Sequence, residues 1–289
     1  NALQPWVKQV EAATKGRVKM EVFPSQTLVK GVDMWKAAAA GTIDIGWCVQ
    51  SYWPDTTPLS DVISLPGLPF KTAEKGSEVF WKLYDKFPAI QKEYANAGIQ
   101  PLTLYVTHPI PIVTSKKQIK SLEDLKGMKI RTTPVYRAFF RALGADLIQT
   151  APAEVFTALE RGTIDGYGWP SWDLKTSGWD KHTKYRVEPG FYSVANATII
   201  NLDKWKKLTD QQRDFLTKHS LKFESEYDKR YAPKTEAYLK EQADAGVQVI
   251  ELKGKVAEDY VKLAYDAGWE EFMKLDPVNT PKLKALISD

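Results

Sequence analysis

The sequence has a single cysteine and no apolar run near the roughly 20 residues that a transmembrane helix requires. One cysteine, Cys48, excludes an internal disulfide and a cysteine-rich metal site. Blocks of like charge are absent as well, and 40 basic residues stand against 36 acidic ones, for a net charge of +4. This mild imbalance is not the charge footprint of a nucleic-acid-binding protein, but it suits a small anionic ligand.

Motifs for ready-made catalysis are also missing. The chain has no nucleophile elbow, no phosphate-binding P-loop and no EF-hand loop. Its histidines are too far apart for a zinc-binding HExxH helix: they are His108, His182 and His219. We therefore predict no catalytic residue, no metal site and no cofactor.

What the chain does have is length and aromatic side chains. Its 289 residues suit about two average domains, and 43% hydrophobic and 26% charged residues are ordinary globular values. The 10 Trp, 13 Tyr and 11 Phe exceed what a core of this size requires. Some of these rings are therefore expected to line a binding site.

Helix and strand patterns alternate along the chain, which predicts an α/β protein with mostly parallel sheets. Strands are expected at residues 17–23, 42–49, 99–107 and 110–115, and one long helix at 72–96. A long helical tract should run from 208 to about 245, beginning at a capping box of Thr209 and Gln212. Pro233 should kink or break this tract.

A segment of the sequence occurs twice. Residues 33–44 (DMWKAAAAGTID) and 154–165 (EVFTALERGTID) share an acid, an aromatic, an alanine and the four letters GTID in register. Each copy predicts a helix, a glycine at its end and a buried strand. The repeat favours two lobes of similar α/β construction.

Arg131 stands at the carboxyl end of a predicted strand, just before a helix that begins near Pro134. Open α/β sheets bind their ligands at this edge. A guanidinium offers a planar fork that matches a carboxylate, and a helix N-terminus adds N–H donors. The arrangement suits an organic acid, although most arginines are simply solvated.

Three segments together carry a family resemblance: residues 127–131 (GMKIR), 142–145 (ALGA) and the second repeat extended to Gly166. They resemble the solute-binding proteins of tripartite ATP-independent periplasmic (TRAP) transporters, the dicarboxylate-type (DctP) family. The likeness continues through residues 23–28 (FPSQTL), 41–44 and 201–209 (NLDKWKKLT), and so covers nearly the whole chain.

The resemblance implies a two-lobed periplasmic-binding-protein-like (type II) fold, with crossover strands and a long kinked helix spanning both lobes. Lobe I would comprise 1–108 plus 195–234, and lobe II 109–194 plus 235–289, with the ligand cleft between them. It also implies a periplasmic monomer whose precursor has a signal peptide, and a membrane permease that receives the ligand. The arginine of the family's G-x-K-I-R motif pairs with the ligand carboxylate, and Arg131 holds that position.

Departures from the family pattern concern the ligand. Several relatives carry a second arginine about twenty residues upstream of the first, where this chain has Pro111. After the second repeat, relatives often have an acidic or amide residue, whereas this chain has Trp169 and Trp172. One guanidinium with aromatic walls indicates a monocarboxylate with an apolar or aromatic body.

The candidate ligand-binding residues lie at strand ends that the family uses for binding. Each aromatic among them also has an interpretation as core, Gln50 and Asn196 could satisfy neighbouring backbone, and His108 could lie at a hinge. The set is Arg131, Trp169, Tyr52, Trp53, Gln50, Asn196, His108, Trp172, Tyr192 and Phe191.

The predicted function is a transport receptor and not an enzyme: an extracytoplasmic TRAP solute-binding protein that delivers an organic acid to its permease. Alternatives within the family are a C4-dicarboxylate or 2-oxo acid binder, or a sensor that reports the ligand to a kinase. The alternative from another class is a lyase or isomerase acting on a carboxylic acid, with His108 as the acid/base.

Overall fold

The computed structural model describes residues 3–23, 27–68, 70, 72–107, 110–114 and 118–288. The helices are α1 (Gln4–Ala13), α2 (Met34–Ala39), α3 (Ala73–Lys86), α4 (Pro88–Asn96), α5 (Arg137–Ala142), α6 (Val155–Glu160), α7 (Leu202–Lys207), α8 (Asp210–Ser225), α9 (Tyr227–Asp244), α10 (Gly254–Leu275) and α11 (Thr280–Ser288). The strands are β1 (Ile45–Val49), β2 (Ile99–Val106), β3 (Ile110–Thr114), β4 (Lys129–Thr132), β5 (Asp146–Gln149), β6 (Gly166–Gly168), β7 (Tyr185–Tyr192), β8 (Ala195–Asn201) and β9 (Gln248–Glu251). Within these ranges no helix combines the length and the apolar character needed to cross a bilayer.

The chain divides into two compact units. Unit 1 is Asn1–Ile63, Thr72–Val106 and Ala195–Asp228. Unit 2 is Ser64–Lys71, Thr107–Val194 and Lys229–Asp289. The predicted lobe I includes residues 64–71, which the division above assigns to unit 2. Within unit 2, the Gly67 N–H donates to the Phe191 carbonyl at 2.7 Å. A hydrogen bond between residues so far apart in sequence cannot be predicted from the local sequence pattern.

Unit 1 contains an antiparallel sheet in the order β1-β8-β2. Every residue of β8 is buried, and this central strand is paired with β1 on one edge and with β2 on the other. Helix α3 packs on β2 with a stripe of buried residues at helical spacing: Gly76, Val79, Phe80 and Leu83. The expectation of mostly parallel sheets is therefore wrong for this unit.

Unit 2 contains a mixed sheet in the order β5-β4-β6-β3-β7-β9. β4 runs parallel to both β5 and β6, and β3 runs antiparallel to β6 and β7. All five residues of β3 are buried. Its consecutive residues Ile112 and Val113 point to opposite faces of the sheet and belong to different hydrophobic clusters. Both faces of the sheet are thus covered, which explains why β3 lacks a polar alternation.

The repeated segment has the same local structure in both copies. In the first, α2 ends before Gly41 (φ 76°), and the Thr42 N–H donates to the Ala37 carbonyl at 2.9 Å. In the second, α6 ends before Gly162 (φ 66°), and the Thr163 N–H donates to Ala158 at 2.8 Å. Glycine is required in both because it adopts positive φ without a steric penalty. Each copy then leads into a strand, β1 or β6, as predicted.

Two local predictions fail and a third holds only in part, where tertiary context decides the outcome. Residues 17–23 form no strand, and Val18 and Phe23 are exposed. The predicted helix at 72–96 divides at Phe87, before Pro88. The long helical tract is interrupted at Glu226, and α9 continues through Pro233, which lies on its exposed side. Pro233 therefore does not break the tract, and a kink at this residue stays a prediction. The capping box of Thr209 and Gln212 is present.

A buried carboxyl group ties α8 to the rest of unit 1. Glu224 is 2% exposed, and its Oε1 accepts a hydrogen bond from the Leu104 N–H at 2.6 Å. Its Oε2 accepts from the Trp81 indole N–H at 2.9 Å. Burial raises the pKa of Glu224 to about 8, although these donors act in the opposite direction. The native state therefore holds a proton that the unfolded chain releases at lower pH.

This proton predicts how stability depends on pH. Because the pKa of Glu224 is 4.5 without burial and about 8 in the fold, the native state binds more protons between these values, so stability falls as pH rises through them. Glu224→Gln removes this contribution, of up to about 1.4 kcal/mol per pH unit. Urea unfolding at pH 5, 6.5 and 8 should show a flatter profile for the variant. The exposed control Glu236→Gln should follow the wild type, and parallel profiles for all three proteins would contradict the assignment.

Candidate ligand-binding site

Arg131 is a buried cation at the centre of three parallel strands. Its strand β4 lies between β5 and β6, where Arg131 is in register with Ile148 and Tyr167. The side chain is only 3% exposed, and its Nε donates to the Thr150 carbonyl at 3.2 Å. In the part of the chain that the structure describes, Arg131 forms no ion pair with an acidic side chain. A buried charge without a counter-ion is unfavourable, so the site is suited to an anion.

Tyr136 is a neighbour of Arg131 that the sequence patterns did not single out. The segment after β4 is a 3-10 turn (Pro134–Tyr136) followed by the six-residue α5, and not a long helix with a free N-terminus. Within this turn, the Tyr136 hydroxyl accepts from Arg131 Nη1 and donates to the Gly168 carbonyl, both at 3.4 Å. The hydroxyl thus links β4 to the end of β6. Its position five residues after Arg131, in a proline turn, is the only signal that the sequence offered.

Trp169 lies against the guanidinium. Arg131 Cζ is 5.5 Å from the centroid of the Trp169 ring, within the range of a cation–π contact. Trp169 also packs edge-on against Trp179, with centroids 4.7 Å apart. The ring follows β6 directly and is half-buried. Of the candidate residues, the structure therefore brings Arg131 and Trp169 into direct contact.

A hydrogen-bonded pair supports the ring behind Trp169. The Tyr167 hydroxyl donates to Thr183 Oγ1 at 2.5 Å, and Thr183 donates to the Trp179 carbonyl at 2.9 Å. Burial is the largest cause of a raised pKa for Tyr167, so its hydroxyl keeps its proton and remains a donor. The chain Tyr167–Thr183–Trp179 gives Trp169 a fixed surface to pack against.

Phe191 and Tyr192 reach this region through Tyr136. The ring centroid of Tyr136 is 5.4 Å from that of Phe191 and 5.0 Å from that of Tyr192, both edge-on. Phe191 is 1% exposed and Tyr192 3%, and both belong to the hydrophobic cluster that includes Phe139 and Phe140. They form the packed layer behind the guanidinium.

Trp172 packs against helix α9. Its indole N–H donates to Thr235 Oγ1 at 3.0 Å, and its ring stacks on Tyr231 at 5.4 Å with an interplanar angle of 28°. Both partners belong to α9. Trp172 is thus adjacent in sequence to the Trp169 site but makes these contacts with the helix.

The unit 1 candidates follow β1. Gln50 is fully buried: its Nε2 donates to Thr57 Oγ1 at 2.6 Å, and its Oε1 accepts from the Tyr94 hydroxyl at 3.1 Å. Trp53 is 2% exposed, and its indole N–H donates to the Gly31 carbonyl at 3.4 Å. Both side chains therefore form hydrogen bonds with other residues of unit 1.

Two further candidates, Tyr52 and Asn196, lie beside them. Tyr52 is half-buried, in the turn Gln50–Tyr52. Asn196 is 5% exposed on β8, in register with Val49 at the end of β1. His108 lies outside the described residues. In the described part of the chain, no three His, Cys, Asp or Glu side chains are grouped so that they could hold a metal ion.

The unpaired guanidinium predicts an effect on stability. Arg131→Met replaces a desolvated charge by an apolar side chain of similar length, so the ligand-free variant should be more stable than the wild type by about 1 kcal/mol. Thermal unfolding of protein that has been refolded to remove ligand measures this. The exposed Arg141→Met is the matched control and should change stability little. If Arg131→Met lowers stability while Arg141→Met does not, Arg131 stabilises the fold, and the prediction is contradicted.

Comparison with known proteins places this chain in a family. The fold is that of periplasmic binding proteins: a marine metagenome TRAP solute-binding protein, specific for aromatic acid ligands and crystallised with 3-hydroxybenzoate, has a TM-score of 0.87 at 25% identity, over 99% of this chain and 92% of that one. Residues 1–274 match bacterial extracellular solute-binding protein family 7, the DctP family, and the chain belongs to it. The predicted family and fold class are confirmed.

Two other relatives illustrate the range of the family. A monocarboxylate 2-oxoacid-binding periplasmic protein of Nostoc sp. is 29% identical over 214 residues, which cover 72% of this chain and 57% of that protein. A TRAP periplasmic protein of Bordetella bronchiseptica with bound mandelate shares the fold, with a TM-score of 0.84 at 22% identity, over 99% of this chain and 91% of that one. The chain spans about six tenths of the length of the first curated relatives that it matches. The periplasmic relatives agree with the predicted location.

Proposed function

We propose that this protein is the extracytoplasmic solute receptor of a TRAP transporter and binds an organic monocarboxylate with an aromatic or apolar body. Arg131 binds the carboxylate, and Trp169 contacts the body of the ligand. The receptor delivers the acid unchanged to a membrane permease and works as a monomer. The predicted closing of two lobes over the ligand stays a prediction.

The observation that carries the proposal is the buried guanidinium of Arg131. Its Nε and Nη1 are oriented by Thr150 and Tyr136, while no acidic side chain of the described residues neutralises it. A carboxylate supplies the missing charge and accepts two parallel hydrogen bonds from the planar fork. Because the side chain is already oriented, little conformational entropy is lost on binding.

The aromatic surroundings support the choice of ligand class. Trp169 lies beside the guanidinium, with Tyr136, Phe191 and Tyr192 packed behind it. The marine relative at 25% identity is specific for aromatic acids, which agrees with this choice. A phenyl-bearing acid should therefore bind more tightly than a compact dicarboxylate, whose second carboxylate finds no second arginine at Pro111.

The name of the Nostoc relative favours a second candidate, a 2-oxo acid. Such a ligand would use the same guanidinium but gain little from the indole ring. A C4-dicarboxylate is the third candidate ligand, and a lyase or isomerase activity is the competing function. Mandelate, pyruvate and succinate separate the ligand classes, because all three share a carboxylate and differ in what is attached to it.

Calorimetric titration of ligand-stripped protein tests the ligand class. Mandelate should bind more tightly than pyruvate and succinate because its phenyl ring contacts Trp169. Nuclear magnetic resonance of the acid released from the protein should show that it is chemically unchanged. Equal affinity for succinate and mandelate would contradict the aromatic class, and conversion of the acid to a product would favour the enzyme.

Variants of Arg131 test the binding role directly. Arg131→Ala should weaken mandelate binding by about 3 kcal/mol, on the order of 100-fold, because it leaves a desolvated carboxylate unpaired. Arg131→Lys keeps the charge but loses the fork, so its affinity should lie between those of wild type and Arg131→Ala. The exposed Arg141→Ala should bind as the wild type does. Unchanged affinity of Arg131→Ala would refute the proposal.

A further inference from the structure

Trp169 belongs to a loop whose position depends on side-chain contacts. Residues 169–173 (WPSWD) follow β6 and contain no helix or strand. Backbone pairing within a sheet therefore does not hold them. Trp169, at the start of the loop, contacts Arg131, whereas residues 171–173 contact α9.

The first of the contacts with α9 is made by Trp172. Thr235 Oγ1 accepts the indole N–H at 3.0 Å while donating its own proton to the Tyr231 carbonyl at 3.1 Å. The Trp172 ring stacks on the ring of Tyr231, one helical turn before Thr235. Thr235 thus has its donor and its acceptor both engaged, which defines the orientation of the indole.

The second contact is made by the loop backbone. Gln242 is 3% exposed, and its Nε2 donates to the Ser171 carbonyl at 2.6 Å. Its Oε1 accepts from Arg186 Nη1 at 2.9 Å. Arg186 Nε in turn lies 3.2 Å from Glu188 Oε1. The amide of Gln242 is thus fixed from the β7 side and cannot turn away from the loop without losing a charge-assisted hydrogen bond.

We propose that Thr235 and Gln242 of α9 are positioning residues, which hold the 169–173 loop so that Trp169 selects carboxylates bearing an aromatic ring. The proposal rests on the function proposed above and adds how selectivity is set. The two parts of recognition are separable, because the bonds that orient Arg131 go to Thr150 and Tyr136 and not to this loop. Loosening the loop should therefore affect the ring of the ligand and leave its carboxylate bound.

Aromatic contacts make this effect measurable. A pair of aromatic rings gains its full stabilisation only at particular distances and angles. A binding residue that loses its supporting contacts no longer keeps this geometry, so the stabilisation is reduced. Mandelate and lactate are the matched probes, since both are 2-hydroxy monocarboxylates and differ by a phenyl ring against a methyl group. The ratio of their affinities isolates the contribution of the ring.

Thr235→Val and Gln242→Met are the test variants, because each removes the hydrogen bond and nearly keeps the shape. Calorimetric titration should show a mandelate-to-lactate ratio about fivefold lower than in the wild type, with lactate affinity changed less than twofold. The exposed Glu236→Gln, next to Thr235 on α9, is the matched control and should keep the wild-type ratio.

A double-mutant cycle distinguishes positioning from a general loss of structure. Trp169→Ala should itself lower the ratio, and adding Thr235→Val to it should lower the ratio no further, because the threonine acts through the indole. A further loss in the double variant would overturn the proposal. So would a wild type without preference for mandelate, an unchanged ratio in both single variants, or an equal loss for both probes.

The outcome for Arg131→Ala separates this inference from the proposed function. If that variant weakens both probes while Thr235→Val and Gln242→Met keep the ratio, the receptor stands and only the positioning role fails. If Arg131→Ala weakens neither probe, the proposed binding site itself fails.

Discussion

The structure around the candidate site depends on one buried positive charge. Arg131 is almost fully enclosed, yet the described residues offer it carbonyl oxygens, a hydroxyl and an indole face instead of a carboxylate. A guanidinium in this position costs free energy that the rest of unit 2 must offset, and a bound anion removes that cost. A site of this kind favours its ligand because the protein has left the charge unpaired.

The fold supplies what holds the charge in place. Parallel pairing of β4 with β5 and β6 puts the strand ends at one edge, where the Thr150 carbonyl accepts a hydrogen bond from Arg131 and the Gly168 carbonyl accepts one from Tyr136. The hydrophobic clusters on the two faces of the sheet keep these strands in register. α9 then holds the loop that begins with Trp169. Packing far from Arg131 therefore determines the geometry of the candidate site.

Much of the local structure was predictable, because its causes lie within a few residues. The repeated GTID segment forms helix, glycine turn and strand twice, with matching hydrogen bonds from Thr42 and Thr163. The capping box at Thr209 forms for the same reason. Residues 17–23 have a strand pattern but form no strand. A strand requires a partner strand, and a local pattern does not show whether one is available. The break at Glu226 instead of Pro233 likewise depends on the helix surroundings.

The sequence by itself determined the family, the α/β class and the position of Arg131, because a motif and its place at a strand end are local properties. Only the tertiary structure revealed Tyr136, the pairing of Trp172 with Thr235 and the bond from Gln242 to Ser171. It also showed that Gln50 and Trp53 make their hydrogen bonds within unit 1. These contacts join residues up to 71 positions apart. No periodicity or motif records such distances, since only the packing of the elements brings the partners together.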